Sequence, residues 1–267
     1  MSSAEPAVLS RVESLRRKLA GLSVTETSEK QGFSTGCDAL DRLLPGNTLR
    51  SGMLIELLAE DRGSGAGVLA MQLAKRVIEA AQGCLVVTDR WRRFYPPAAI
   101  ASGIETKDLI VVRSSDSKIM SAAEELWALD QALRCPGVSV VLAWLDKVDP
   151  LQFRRLQLAA ESGKALALLL RLARVKALPT WSDVQLLVKP IARTAASAKR
   201  SENRFCEVTL LRQRGRAGSH TLEGTSIELE IDETGTLKGR ERRHEAGTMH
   251  LAPRVAHPAT RRRSVGA

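Results

Sequence analysis

Residues 54–74, LIELLAEDRGSGAGVLAMQLA, decide how the rest of the chain is read. An apolar strand-like run leads into a glycine-rich turn, after which apolar residues recur at helical spacing. This is the frame of a phosphate-binding loop. In a working loop, glycines let backbone N–H groups curl around phosphates at a helix N-terminus, a Lys reaches the β/γ-phosphates and a following Ser or Thr holds Mg²⁺. Gly63, Ser64, Gly65, Ala66 and Gly67 stand in that place. The slots after Gly65 hold Ala66 and Gly67, which supply neither a cation nor a hydroxyl. The scaffold of a nucleotide site is therefore expected without its chemistry, and no cofactor or metal is expected in it.

On either side of this stretch the pattern alternates between buried strands and amphipathic helices. Residues 33–45 predict a short helix capped by Asp38 or Ser34, with Leu40, Leu43 and Leu44 on one face. CLVVT (84–88), residues 108–112, VSVVLAWL (138–145) and ALALLLR (165–171) read as buried parallel strands. Helices are predicted between them at 68–81, 97–103, 122–134 and 153–162. Such β-α-β alternation predicts a mainly parallel sheet covered by helices on both faces. Beyond Arg171 come a basic loop at 174–180, a strand at 184–188, a basic Ala/Ser-rich turn at 194–204 and two antiparallel edge strands, 205–212 and 226–231. Three regions follow: residues 1–31, an amphipathic helix (7–22) and polar linker; a core at 32–237; and residues 238–267, a disordered basic tail without apolar periodicity.

A chain of 267 residues can bury one sizeable α/β core. Only nine residues are Phe, Trp or Tyr, so that core must rest on Leu, Ala, Val and Ile. No apolar run approaches the roughly 20 residues that span a bilayer, so a membrane role is not expected and a cytoplasmic location is. Cys37, Cys84, Cys135 and Cys206 lack metal-binding spacing and read as buried reduced thiols. The net charge of +10 is unevenly placed. Residues 1–170 hold 21 Lys/Arg against 20 Asp/Glu, whereas 171–216 hold 11 against 3 and 238–267 hold 8 against 2. Local excess of this kind suits a polyanion or an acidic partner.

Two groups of candidate residues lie where an open parallel sheet binds ligands, beyond the carboxyl ends of its strands. Arg90, Arg92 and Arg93, interleaved with Trp91, Phe94 and Tyr95, follow the CLVVT strand and are candidates to grip phosphates and stack on bases. Arg171 closes the ALALLLR strand, and Arg174 and Lys176 follow it. Solvated arginines over packed aromatics remain the alternative for the first group.

The segment FSTGCDALDRLLPGNTLRSGMLIELLAEDRGSGAGVLAMQLA (33–74) resembles the start of the RecA-type recombinase core, and the similarity continues through CLVVTDRW, GIETKDLIVV and VSVVLAWLD, over roughly residues 32–235. GSGAG together with DRWRRFYPPAA and ALRCPGVSVVLAWL is similar to the bacterial RecA-like accessory family ImuA. That resemblance implies a RecA-like P-loop-type fold and a role in translesion DNA synthesis during damage-induced mutagenesis. It implies as partners a Y-family-like polymerase homologue and an error-prone replicative-type DNA polymerase, with RecA and single-stranded DNA as further candidates. It also implies that Arg171, Arg174 and Lys176 occupy the place of a DNA-contacting loop. Three positions depart from RecA: the loop Lys and Thr map to Ala66 and Gly67, the metal-orienting acid to Trp144, and the water-activating glutamate to near Arg90. With all three absent, no residue serves the γ-phosphate, the metal or the water. A non-catalytic adaptor is the expected function. Three alternatives remain open: nucleotide binding without hydrolysis, with Arg62 or Arg90 supplying positive charge; an NTPase in which Asp146 replaces the missing acid; and a checkpoint-type cell-division inhibitor.

Overall fold

The computed structural model describes residues 32–61, 63–114, 119–145, 147–191, 203–214, 222–232 and 234–241. Its elements in chain order are β1 Gly32–Phe33, α1 Asp38–Asp41, β2 Leu49–Arg50, β3 Leu54–Ala59, α2 Ala66–Ala81, β4 Cys84–Thr88, α3 Pro96–Ala101, β5 Leu109–Val112, α4 Ala122–Leu133, β6 Val138–Trp144, α5 Pro150–Gly163, β7 Leu166–Leu172, β8 Val184–Pro190, β9 Arg204–Gln213, β10 Ser226–Ile231 and β11 Leu237–Glu241. The predicted helix at 7–22, most of the basic turn at 194–204 and the tail from 242 onward lie outside the described residues.

The strand that opens the deciding stretch, β3, is flanked on both sides by parallel partners, β7 and β8. A strand placed so must be apolar on both faces. Ile55 and Leu57 join one core with α2, while Leu54 joins a second with α4 and α5. Nine strands form one sheet in the order β11-β10-β9-β8-β3-β7-β6-β4-β5. The six from β8 to β5 are parallel, and β9, β10 and β11 are antiparallel. The result is a mixed α/β architecture with a large, mostly parallel sheet. Gly163 permits the two covering helices to approach, since a Cβ there would lie 1.8 Å from the Leu133 carbonyl oxygen. Cys37, Cys84 and Cys206 are buried and Cys135 half-buried. Burial pushes the Cys84 thiol up to about 12 and that of Cys206 up to about 11.

Three expectations need correction. The helix at 33–45 shrinks to one turn, because Cys37 stands at its N-cap without a side-chain cap. The polar anchor there is Asp41, which accepts Ser34 Oγ at 2.6 Å and the Thr35 N–H at 2.8 Å. β9 is no edge: it pairs with both β8 and β10. Finally, Leu237–Glu241, most of it assigned to a disordered tail, is strand β11, paired along β10 from Ile231↔Leu237 to Ile227↔Glu241. Backbone hydrogen bonds and the close approach of Gly239 to Cys37 and Ala39 hold it there, and neither leaves an apolar period in sequence. Among the described residues, no helix is long and apolar enough to cross a membrane.

Candidate functional site

The parallel strands β3, β6 and β7 end at a shared edge, where a cleft of about 490 Å³ opens. Its walls come from four segments distant in sequence. The glycine turn supplies Asp61, Ser64, Ala66 and Gly67; the loop after β4 supplies Trp91 and Arg93; the end of β6 supplies Trp144; and the end of β7 with the residues after it supplies Arg171 and Arg174. Both predicted groups of cations thus send members to the glycine turn.

The turn is built to close on itself. The Gly63 N–H donates to Asp61 Oδ1 at 2.7 Å, the Ser64 N–H to the Asp61 carbonyl at 3.4 Å and the Ala66 N–H to Ser64 Oγ at 3.4 Å. Three amides of the turn, those of Gly63, Ser64 and Ala66, are thus engaged within the loop rather than presented to a phosphate. Gly65 begins α2 at φ +89°, a left-handed conformation that glycine adopts without a Cβ penalty. A Cβ on Gly67 would meet nothing within 4 Å, so a side chain at this position would enter open space beside the cleft. Where the RecA resemblance expects a metal-orienting acid, Trp144 packs on buried Phe94 with ring centroids 6.1 Å apart. Asp146, the residue of the NTPase alternative, and Arg62, a candidate for nucleotide binding without hydrolysis, lie outside the described residues.

The cationic loop after β4 divides its arginines. Arg93 lines the cleft, its guanidinium 5.4 Å from the Trp91 ring centre. Arg90 also sits over Trp91, at 4.7 Å, but its Nε donates to the Met120 carbonyl at 2.8 Å and its Nη1 lies 3.7 Å from buried Glu125. Arg92 donates to the Ser114 carbonyl at 2.9 Å. Phe94 is buried and Tyr95 exposed, so the aromatic pair splits between core and solvent. Beneath this loop, Asp89 accepts the Arg93 N–H at 2.7 Å and an ion pair from Arg113, also 2.7 Å. This pairing fixes the loop's base.

Arg171 departs furthest from expectation. It belongs to β7 rather than to a loop, its side chain is 3 % exposed, and its Nη1 donates to Glu56 Oε1 at 2.5 Å. A strand residue packed beneath Phe153 and held by a buried carboxylate is not a solvent-facing DNA contact. Arg174 lines the cleft, whereas Lys176 is exposed and outside its wall. Among the described residues that line the cleft, the solvent-facing cations are therefore Arg93 and Arg174, opposed by Asp61. Sequence reading missed Glu56 and Asp89. The signal for Glu56 was present: it is the one charge inside the apolar run LIELLA.

No protein-family model matches the chain. It is similar to Protein ImuA of Caulobacter vibrioides, from strains NA1000 / CB15N and ATCC 19089 / CIP 103742 / CB 15, at 29 % identity over 133 residues in each case. The aligned region is 48 % of this chain, and it spans about half, 52 %, of the length of these curated relatives.

Proposed function

We propose that this chain is a non-catalytic accessory protein with a RecA-like core, acting in DNA-damage-induced mutagenesis by translesion synthesis and bringing polymerase components to single-stranded DNA. The distant similarity to ImuA supports the general area. The position of the glycine turn, at the end of a central parallel strand and the start of a long helix, supports the RecA-like reading. The observation that supports it most is the cleft itself: the Gly63, Ser64 and Ala66 amides bond within the turn, Trp144 lines the cleft at the position that the RecA resemblance gives to an acid, and Trp91, Arg93 and Arg174 stand on the wall that a phosphate-bearing strand would meet. Stacking on Trp91 and charge from two arginines give affinity without sequence readout. The polymerase partners are those implied by the family resemblance, a Y-family-like homologue and an error-prone replicative-type enzyme.

Fluorescence anisotropy with a labelled single-stranded oligonucleotide across a salt series tests this reading. Loss of both cations in Arg93→Ala/Arg174→Ala should weaken binding and make the log–log salt slope shallower by about 1.4, at about 0.7 per phosphate contact. An unchanged slope removes the cleft from the DNA reading. ATP turnover with Mg²⁺, stimulated by single-stranded DNA and abolished by Asp146→Ala, would replace the adaptor with an enzyme. Co-elution with the Y-family-like homologue in gel filtration checks the partner.

A further inference from the structure

The crossover from β7 to β8 differs from the others in the parallel sheet. Helices α2, α3, α4 and α5 lie in the connections from β3 to β4, β4 to β5, β5 to β6 and β6 to β7, whereas residues 173–183 contain only a single 3-10 turn. The segment instead retraces β3 from its end toward its start. Val175 packs against Leu58 and Leu187, Thr180 and Ser182 meet Glu56, and Asp183 exchanges two 2.8 Å hydrogen bonds with the backbone of Leu54. Trp181 lies between these anchors, with the guanidinium of Arg154 4.8 Å and that of Arg214 5.4 Å from its ring centre.

Glu56 stands at the middle of this course and is fully buried. Its Oε1 accepts Arg171; its Oε2 accepts Thr180 Oγ1 at 2.6 Å, Gln185 Nε2 at 2.9 Å and Ser182 Oγ at 3.2 Å. The donors come from β7, from the crossover and from β8, the strands on both sides of Glu56 and the chain that joins them. Buried ion pairs contribute little stability relative to apolar side chains of similar volume, because desolvation offsets their attraction. What such a buried hydrogen-bond network supplies that an apolar contact does not is direction, because each donor must lie where the Glu56 carboxylate can accept it.

We infer that Glu56 is a positioning residue: it sets the course of the crossover and thereby places Arg174, three residues beyond Arg171, on the cleft wall. Its consequence for DNA rests on reading the cleft as a polyanion site. The consequence for the crossover does not.

Thr180→Ala/Ser182→Ala keeps the Glu56–Arg171 pair and removes the crossover's two hydroxyl tethers. Native-state trypsin cleavage after Arg174 and Lys176 should become about tenfold faster, the loss of roughly one hydrogen bond from the opening equilibrium, with cleavage elsewhere unchanged. Glu56→Leu/Arg171→Leu removes both charges together. It also takes the acceptor from buried Gln185 Nε2 and from the Thr180 and Ser182 hydroxyls, so the thermal midpoint should fall, and the crossover should open to the same cleavage. Single-strand affinity should fall in both variants. Unchanged protection of the crossover in both variants overturns the inference, because packing alone would then set its course. Faster cleavage in a protein whose parent binds no single-stranded DNA supports the positioning role and defeats the cleft reading instead.

Discussion

A charge in this molecule is informative mainly through what holds it. Asp130 on α4 is buried and takes paired hydrogen bonds from Arg155 of α5, both at 3.0 Å, and from Arg134 one turn along its own helix, at 3.2 and 3.3 Å. Burial works to raise its pKa, but the two guanidiniums together outweigh that and hold the carboxyl below its ordinary value. A carboxyl with a depressed folded-state pKa contributes stability that is present above its unfolded value and is lost as pH falls through the folded one. Asp130→Asn should therefore remove part of the acid limb of the stability curve. Urea midpoints from pH 6 to pH 2 should fall less steeply in the variant than in the parent. Parallel curves would show that the pair does not link α4 to α5. The charges picked out from sequence behave unequally for the same reason. Arg93 and Arg174 reach the cleft, Arg90 and Arg92 are drawn to carbonyls on neighbouring segments, and Arg171 is consumed by Glu56. Spacing along the chain places an arginine on a loop, but it does not reveal the acceptor waiting in another segment.

Among elements, the glycine turn and α2 invite a direct restoration. Ala66→Lys/Gly67→Thr supplies the two loop side chains that the RecA resemblance calls for, and a Cβ at Gly67 enters open space. On the adaptor reading proposed above, ATP turnover should nevertheless stay at background, because three of the turn's amides bond within it and that resemblance puts Trp144 where a metal-orienting acid is required. Steady turnover in this variant, measured as phosphate release with Mg²⁺, would show that the loop side chains alone were lacking. Elements with a strong apolar period were legible. CLVVT and SIELEI have the bounds read from sequence, and β6 and α4 differ by one residue at one end, because burial on one or both faces writes itself into the pattern. Elements held by backbone pairing or by polar anchors were not. α1 is a single turn within the stretch 33–45 where a short helix was expected, its polar anchor being Asp41, and most of β11 was read as tail because LKGRE carries no alternation. The cleft was legible as an edge, since loops after parallel strands converge there. Its membership was not, because that depends on side-chain partners such as Glu56 and Asp89.

At the scale of the whole molecule, the antiparallel extension joins the beginning of the described chain to its end. β9 continues the sheet from β8, β10 and β11 follow, and β11 returns to lie against α1. A Cβ on Gly239 would sit 2.5 Å from Ala39 Cβ and 2.7 Å from Cys37 Sγ, so the contact admits only glycine without rearrangement. β11 also covers the outer edge of β10, whose pattern alternates buried Ile227, Leu229 and Ile231 with half-buried Ser226, Glu228 and Glu230. An uncovered strand of this kind offers its backbone to another chain. Comparing a chain ending at Glu241 with one ending at Leu237 isolates this strand. The shorter chain loses the β10–β11 pairing and the α1 contact, which together contribute about 2 kcal/mol at roughly 1 kcal/mol for each group of contacts. For a domain of this size that corresponds to a thermal midpoint about 4–8 °C lower. Light scattering should also rise with concentration in the shorter chain as exposed β10 edges pair. Equal midpoints and equal scattering would mean that the sheet is closed by β10 and that α1 is held without β11.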